Sequence, residues 1–214
     1  MKTKYIFLMI CGLVILFTVK AQKGGYLRDD KLIGQKAKEG VYLSSEDFIN
    51  GKISFSYNRI DNSYRFHLND VTFKTPIKIV TRNKVIKLNK DSIFGFRDQK
   101  NICYRFYNKG TYKILDPVGK ILLYSSTFII GEPKNTHRVT NYFFSENANS
   151  PLYPLSKWNL KRVLSKDVSF QILLDVYFPG DKDLTAYDSS NNRYLLNQVY
   201  ELSKQAICKR DLNN

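Results

Sequence analysis

Along residues 64–69 the chain alternates: Tyr64, Phe66 and Leu68 are apolar, while Arg65, His67 and Asn69 are polar. That period of two predicts a strand with one buried face. The run TPIKIVTRNKVIKLNK repeats it on both sides of Arg82-Asn83, predicting two strands joined by a turn there. ICYRFYNKGTYKILDPVGKILLYSSTFII then predicts a three-stranded meander, with turns at Asn108-Lys109-Gly110 and Asp116-Pro117-Val118-Gly119. Short strands between tight turns favour antiparallel pairing.

The period lengthens on either side of this stretch. In GVYLSSEDFINGK, Ser44 with Asp47 three residues on is a variant capping box, Leu43 and Phe48 are spaced as a hydrophobic staple, and Gly51 can end the turn left-handed. One short helix is expected. After NANSPLYP a second opens at Leu155-Ser156 and covers KWNLKRVL, with Leu155 and Leu160 as its staple. In DVSFQILLDVYFPG, Phe170, Leu173, Leu174 and Tyr177 fall at i, i+3, i+4 and i+7, and Pro179-Gly180 stops the helix. A last helix is expected from about Ser190 to Ile207, with Leu195, Leu196, Val199, Leu202 and Ala206 on its apolar face. Strands followed by helices give an α+β fold, an antiparallel β-rich part with about three C-terminal helices packed on the sheet.

The first residues follow neither period. Lys2 and Lys4 precede YIFLMICGLVILFTV, an apolar run of roughly fifteen residues, the length of a signal h-region and short of the roughly twenty a spanning helix needs. Val19 and Ala21 suit a signal peptidase, which predicts removal of residues 1–21 and an exported chain, periplasmic, secreted or at the cell surface, with no transmembrane span. Cys11 is a poor lipobox, because bulky Ile10 precedes it and it sits inside the apolar run. Residues 22–40 then read as a flexible lead, 41–208 as a single domain and 209–214 as a flexible tail.

The Ala21-Gln22 junction, the GVYLSSEDFINGK opening, the mid-chain GFRD, and LLDVYF followed by DKDLTAYD are similar, in that order, to a group of uncharacterised secreted proteins of Bacteroidetes bacteria. The resemblance implies an exported bacterial protein and brings no catalytic residue with it.

Past the signal two cysteines are left, Cys103 and Cys208. In an oxidising compartment they can close a loop of about a hundred residues, worth up to about 4.7 kcal/mol in the chain-entropy model. Two separate buried thiols are the other reading.

Recognisable catalytic parts are missing. The two histidines, His67 and His137, have no second ligand nearby, and neither HExxH nor CxxC occurs, so no protein-built metal site is expected. Asp181, Asp183 and Asp188 cluster in GDKDLTAYD but lack the glycine and glutamate of an EF-hand loop. There is no GxSxG elbow, Cys103 is far from either histidine in sequence, and the adjacent Glu46 and Asp47 fit a helix cap better than two acids across a cleft. Nor does a glycine-rich phosphate loop occur, so no cofactor is expected.

What remains is charge. The formal net charge is +15, and residues 22–145 carry twenty-two basic against eleven acidic side chains, whereas residues 146–214 are nearly balanced. If the sheet turns one face to the helices, the other can present Lys78, Arg82, Lys84, Lys87, Arg97, Arg105 and Lys113 together, interleaved with tyrosines. Such a face attracts polyanions such as lipopolysaccharide phosphates or acidic polysaccharide. Nucleic acid is the least favoured, since no binding signature for it accompanies the charge. Lysines that keep a sheet soluble and block edge pairing are the plainer explanation. The expectation is therefore a non-enzymatic envelope or secreted protein that meets an anionic surface or a protein partner through a basic sheet face. The alternative is an extracytoplasmic hydrolase whose site no motif reveals.

Overall fold

Val41 and Tyr42 are neighbours on the first strand, β1 (Gly40–Tyr42), and both are buried, so apolar material covers the main sheet on each face. The computed structural model describes residues 39–56, 65–67, 76–80, 84–132 and 135–211, with side chains described except at 65–67 and 206–211. The expected signal segment, most of the N-terminal lead, Arg82 and the last three residues lie outside the described residues. All described residues belong to one compact unit, Ala37–Asn214.

Helix α1 (Ser45–Ile49) is capped as its sequence indicates: Ser44 Oγ accepts from the Asp47 amide at 3.0 Å, and Gly51 follows at φ +65°. Next come β2 (Arg65–His67), β3 (Ile77–Val80) and β4 (Val85–Leu88), an antiparallel three-stranded sheet in that order. Then β5 (Gly95–Arg97), β6 (Cys103–Tyr107), β7 (Gly110–Ile114), β8 (Leu122–Ile130), β9 (His137–Ser145) and β10 (Tyr153–Pro154) join β1 in a curled seven-stranded sheet. Its order is β1-β5-β6-β7-β8-β9-β10, antiparallel throughout. The β6–β7 loop is the two residues Asn108 and Lys109, both at positive φ (43° and 59°), the signature of a turn whose twist matches the flanking strands.

Helices α2 (Lys157–Val163), α3 (Val168–Tyr177) and α4 (Leu195–Asp211) complete the chain, with a small hairpin of β11 (Tyr187–Asp188) and β12 (Arg193–Tyr194) before α4. The fold is α+β. The last helix starts five residues later than its sequence suggests. Asp188 turns the chain by accepting from the Ser190 and Asn191 amides, Asn192 takes φ +54°, and the hairpin they form uses up residues 187–194.

Register carries one face of the large sheet along a single row, Val41, Phe96, Tyr104, Lys113, Ser125 and Tyr142. Two layers share this face. At one end Ile77 and Ile79 of the small sheet pack on Val41, Phe96 and Phe106; at the other the helices bury Leu160, Phe170, Leu174, Leu196 and Val199 against Leu123 and Phe144. The opposite face holds Tyr42, Ile114, Leu122 and Tyr124, closed by Phe48 of α1 and Ala148. Among the described residues no helix is long and apolar enough to cross a membrane.

A candidate cationic surface

Strand β3 reads Ile-Lys-Ile-Val, and alternation does the rest: Ile77 and Ile79 go into the core while Lys78 faces out. Strand β4 presents Lys87 the same way. The register places Lys87 directly opposite Lys78, which is itself opposite His67 of β2. Cβ atoms so placed lie about 4.5–5.5 Å apart. No ion pair among the described residues reaches either ammonium. Lys84 is exposed just before β4.

The other expected contributors go elsewhere. Lys113 is exposed on β7, on the face of the large sheet that the two layers share, between Tyr104 and Ser125. Arg97 is half-buried beside Phe96 and points to the opposite face, where its charge acts on Tyr42 and Cys103. Arg105 is not a surface residue at all. It is 5% exposed, and its guanidinium lies 5.2–5.8 Å from the ring centroids of Phe94, Tyr107 and Tyr124. The expectation of one shared basic face therefore narrows to Lys78 and Lys87, with Lys84 next to them. Parity explains the split: Arg97 and Arg105 occupy inward positions of their strands, which charge counting along the sequence does not register.

Cys103 is a free thiol, half-buried, 3.8 Å from the Tyr42 hydroxyl. Burial pushes the pKa of both groups up. The Cys208 side chain lies outside the described residues.

Two surface depressions are lined by polar groups. One, of about 480 Å³, lies between Lys90-Asp91 and the Phe106–Lys109 turn. The other, of about 600 Å³, runs along Thr140–Phe143 to Asp181 and Thr185, where Asp181 is already engaged by the Lys157 amide at 2.8 Å. Among their described lining residues neither combines two carboxylates or a carboxylate with a histidine, either of which would favour a hydrolytic site. Among the described residues no group of three or more histidine, cysteine or acidic side chains is placed to hold a metal ion.

Outside relationships add no assignment to this geometry: no family model, no curated protein and no solved structure matches the chain.

Proposed function

We propose that the chain is an exported, non-enzymatic binding protein that docks the outer face of its small sheet onto an envelope polyanion, either lipopolysaccharide phosphates or an acidic polysaccharide. The observation that carries this reading is Lys78 directly opposite Lys87 with no carboxylate paired to either among the described residues. Like charges opposed in a ladder destabilise it by roughly 0.2–1 kcal/mol. An anion laid across the pair turns that repulsion into two charge-assisted hydrogen bonds. Lysine is a compact point charge that does not demand a fixed bidentate geometry, so this surface responds to charge density more than to a particular sugar or phosphate pattern. Without residues 1–21, which hold Lys2, Lys4 and Lys20 and no acid, the formal net charge is +12, and it raises the local concentration of any polyanion further.

The test is a titration of the purified protein with lipopolysaccharide and with an acidic polysaccharide across a salt series. An unrelated protein of matched size and charge is the control, and a Lys78→Glu, Lys87→Glu double variant runs beside it. Binding stronger than the control, weakening with salt, and reduced in the double variant in both affinity and salt slope is the expected result; the polymer that binds tighter names the source of the anion. Binding equal to the control, or a slope the variant leaves unchanged, sinks the reading.

A further inference from the structure

Helix α3 is apolar on two sides. Phe170 and Leu174 are fully buried in the helical core, yet Val168, Ile172 and Val176 at i, i+4 and i+8 are 65%, 60% and 70% exposed. A helix with aliphatic residues on both faces ordinarily has both faces covered.

Trp158 on α2 is 69% exposed, and the Arg162 guanidinium sits over its ring at 5.0 Å. The two helices face the same way. Leu160 and Leu164 of one and Phe170 and Leu174 of the other enter the same core cluster, and Asp175 of α3 bonds both Lys157 and Lys161 of α2. Their outer sides therefore form one surface, an aliphatic stripe with a tryptophan beside it.

The charges around this stripe choose its occupant. Lys157, Lys161, Arg162, Lys166 and Lys204 supply five cations. Of these, Lys157, Lys161 and Lys204 pair with the two carboxylates there, so that Arg162 and Lys166 have no carboxylate among the described residues and the local excess is three positive charges. The carboxylates on these two helices and at the head of α3 are Asp167 and Asp175, and each is already taken: Asp167 by Lys204, Asp175 by the two lysines. A second copy docked by a two-fold axis would meet this patch with the same patch, whose two carboxylates are already paired, so it has no free carboxylate to offer the excess cations. An anionic bilayer answers both features at once. Its headgroups neutralise the cations, aliphatic side chains bury a few ångströms into the acyl boundary, and tryptophan prefers that boundary. We infer that the outer side of α2 and α3 binds peripherally to anionic phospholipid bilayers, a surface separate from the Lys78–Lys87 pair.

Trp158 is the only tryptophan in the chain, so its emission reports this contact without a label. The full protein is mixed with vesicles of phosphatidylcholine alone and of phosphatidylcholine with phosphatidylglycerol, and read by tryptophan emission and by co-sedimentation. The expected result is a blue shift and pelleting with the anionic vesicles only. An Ile172→Ser, Val176→Ser variant should partition about tenfold more weakly, having lost part of the burial of two aliphatic side chains. Lys166→Gln should bind about fivefold more weakly, the effect of one cation near an anionic surface. All three positions are solvent-facing, and a melting curve confirms that the variants fold.

No shift with either vesicle overturns the inference, as does equal binding to both. A shift that appears without vesicles as protein concentration rises, together with dimer mass, also overturns it and assigns the stripe to a second copy. Vesicle binding abolished by Lys78→Glu, Lys87→Glu but untouched by the helix variants overturns it while leaving the polyanion reading in place. Polymer binding that the double variant leaves unchanged, with vesicle binding intact in it and weakened in the helix variants, overturns the polyanion reading while leaving this one in place.

Discussion

Arg105 donates from Nη1 to the Tyr124 hydroxyl at 3.1 Å on the face of the large sheet that Phe48 of α1 and Ala148 close. Ser145 Oγ donates to the Asn147 carbonyl at 2.7 Å, so Tyr124 spends its own proton on Ser145 at 2.9 Å and accepts from the arginine. Burial raises the Tyr124 pKa despite the nearby guanidinium, which keeps the phenol protonated for that role. Nη2 reaches the Ser150 carbonyl at 3.0 Å and ties down the loop after β9, while Nε has no hydrogen-bond partner among the described residues.

The arginine thus holds the loop at the cost of one unsatisfied polar atom. Arg105→Ala removes both donors and leaves a hole among three rings, and should destabilise by about 3 kcal/mol. Arg105→Met fills the volume and discards the buried charge with its bare Nε, so it should lose less than half of that. Denaturant unfolding of the two variants checks the order. Equal losses would mean that the hydrogen bonds, not the filled volume, dominate.

Asn197 ties α4 to the turn between β7 and β8. Its Oδ1 accepts from the Ile121 amide at 2.9 Å, and its Nδ2 donates to the Ile121 carbonyl at 2.9 Å and to Asp116 Oδ2 at 2.8 Å, all buried. Asn197→Ala leaves a buried carboxylate short of a donor and a buried amide without an acceptor, and should cost about 3 kcal/mol. Gly119 belongs to the same unit, since a Cβ there would meet Asn197 Nδ2 at 2.1 Å. Gly119→Ala should therefore destabilise on its own and add less on top of Asn197→Ala, where the close contact left is Asp116 Oδ2 at 2.7 Å. A double-mutant cycle in urea measures that coupling, and additive losses would separate the two sites.

The local chemistry of this fold was legible where a short motif carries its own geometry. Ser44 with Asp47, the positive-φ pair Asn108-Lys109 and the alternation of Ile77, Lys78 and Ile79 each act within a few residues of themselves. The late start of α4 was not, because DSSNNR has no apolar position to mark where the helical period begins, and the Asp188 turn takes up that stretch. Long-range placement was the larger gap. Nothing near Arg105 in sequence says that Phe94, Tyr124 and Ser150 surround it, and nothing near Asn197 points to a turn 76 residues earlier. The exposed stripe on α3 did have a signal: VSFQILLDVY places Val168, Ile172 and Val176 on a second apolar side, which one buried stripe of Phe170 and Leu174 does not require.

Asp188 gives the molecule an acid-sensitive corner. Side-chain hydrogen bonds from Asn191 and Gln198, then backbone amides of Asn191 and Ser190, hold its carboxyl from the ordinary 3.8 down to about 2. A carboxylate with a depressed folded pKa contributes stability that is complete above its unfolded pKa and is lost as pH falls through the folded one. The difference in melting temperature between the wild type and Asp188→Asn should be constant above about pH 4 and shrink between there and pH 2. Subtracting the variant isolates this group from Asp175, whose carboxyl the Lys161 and Lys157 ammonium groups also hold below its ordinary value. A difference that stays flat down to pH 2 would mean the turn does not need the charge.

Beyond Ser125 the β8 strand loses its β7 partner and pairs with β9 alone, so Ser126–Ile130 and the facing stretch of β9 form a two-stranded ribbon. Phe128, Ile129 and Ile130 are all exposed there, and successive residues alternate sides, so each face of the ribbon carries an exposed apolar side chain. The β9 half carries Arg138, whereas Ser126–Ile130 has no charge, no proline and no glycine to discourage edge pairing. Ile129 faces Arg138 across the ladder. Ile129→Glu puts an opposite charge beside that arginine and a repulsive group on the open edge, so unfolding free energy should stay within about 0.5 kcal/mol while self-association falls. Light scattering during a concentration series and during heating tests this directly. Scattering unchanged by the substitution would show that the ribbon edge is not where copies of the chain meet.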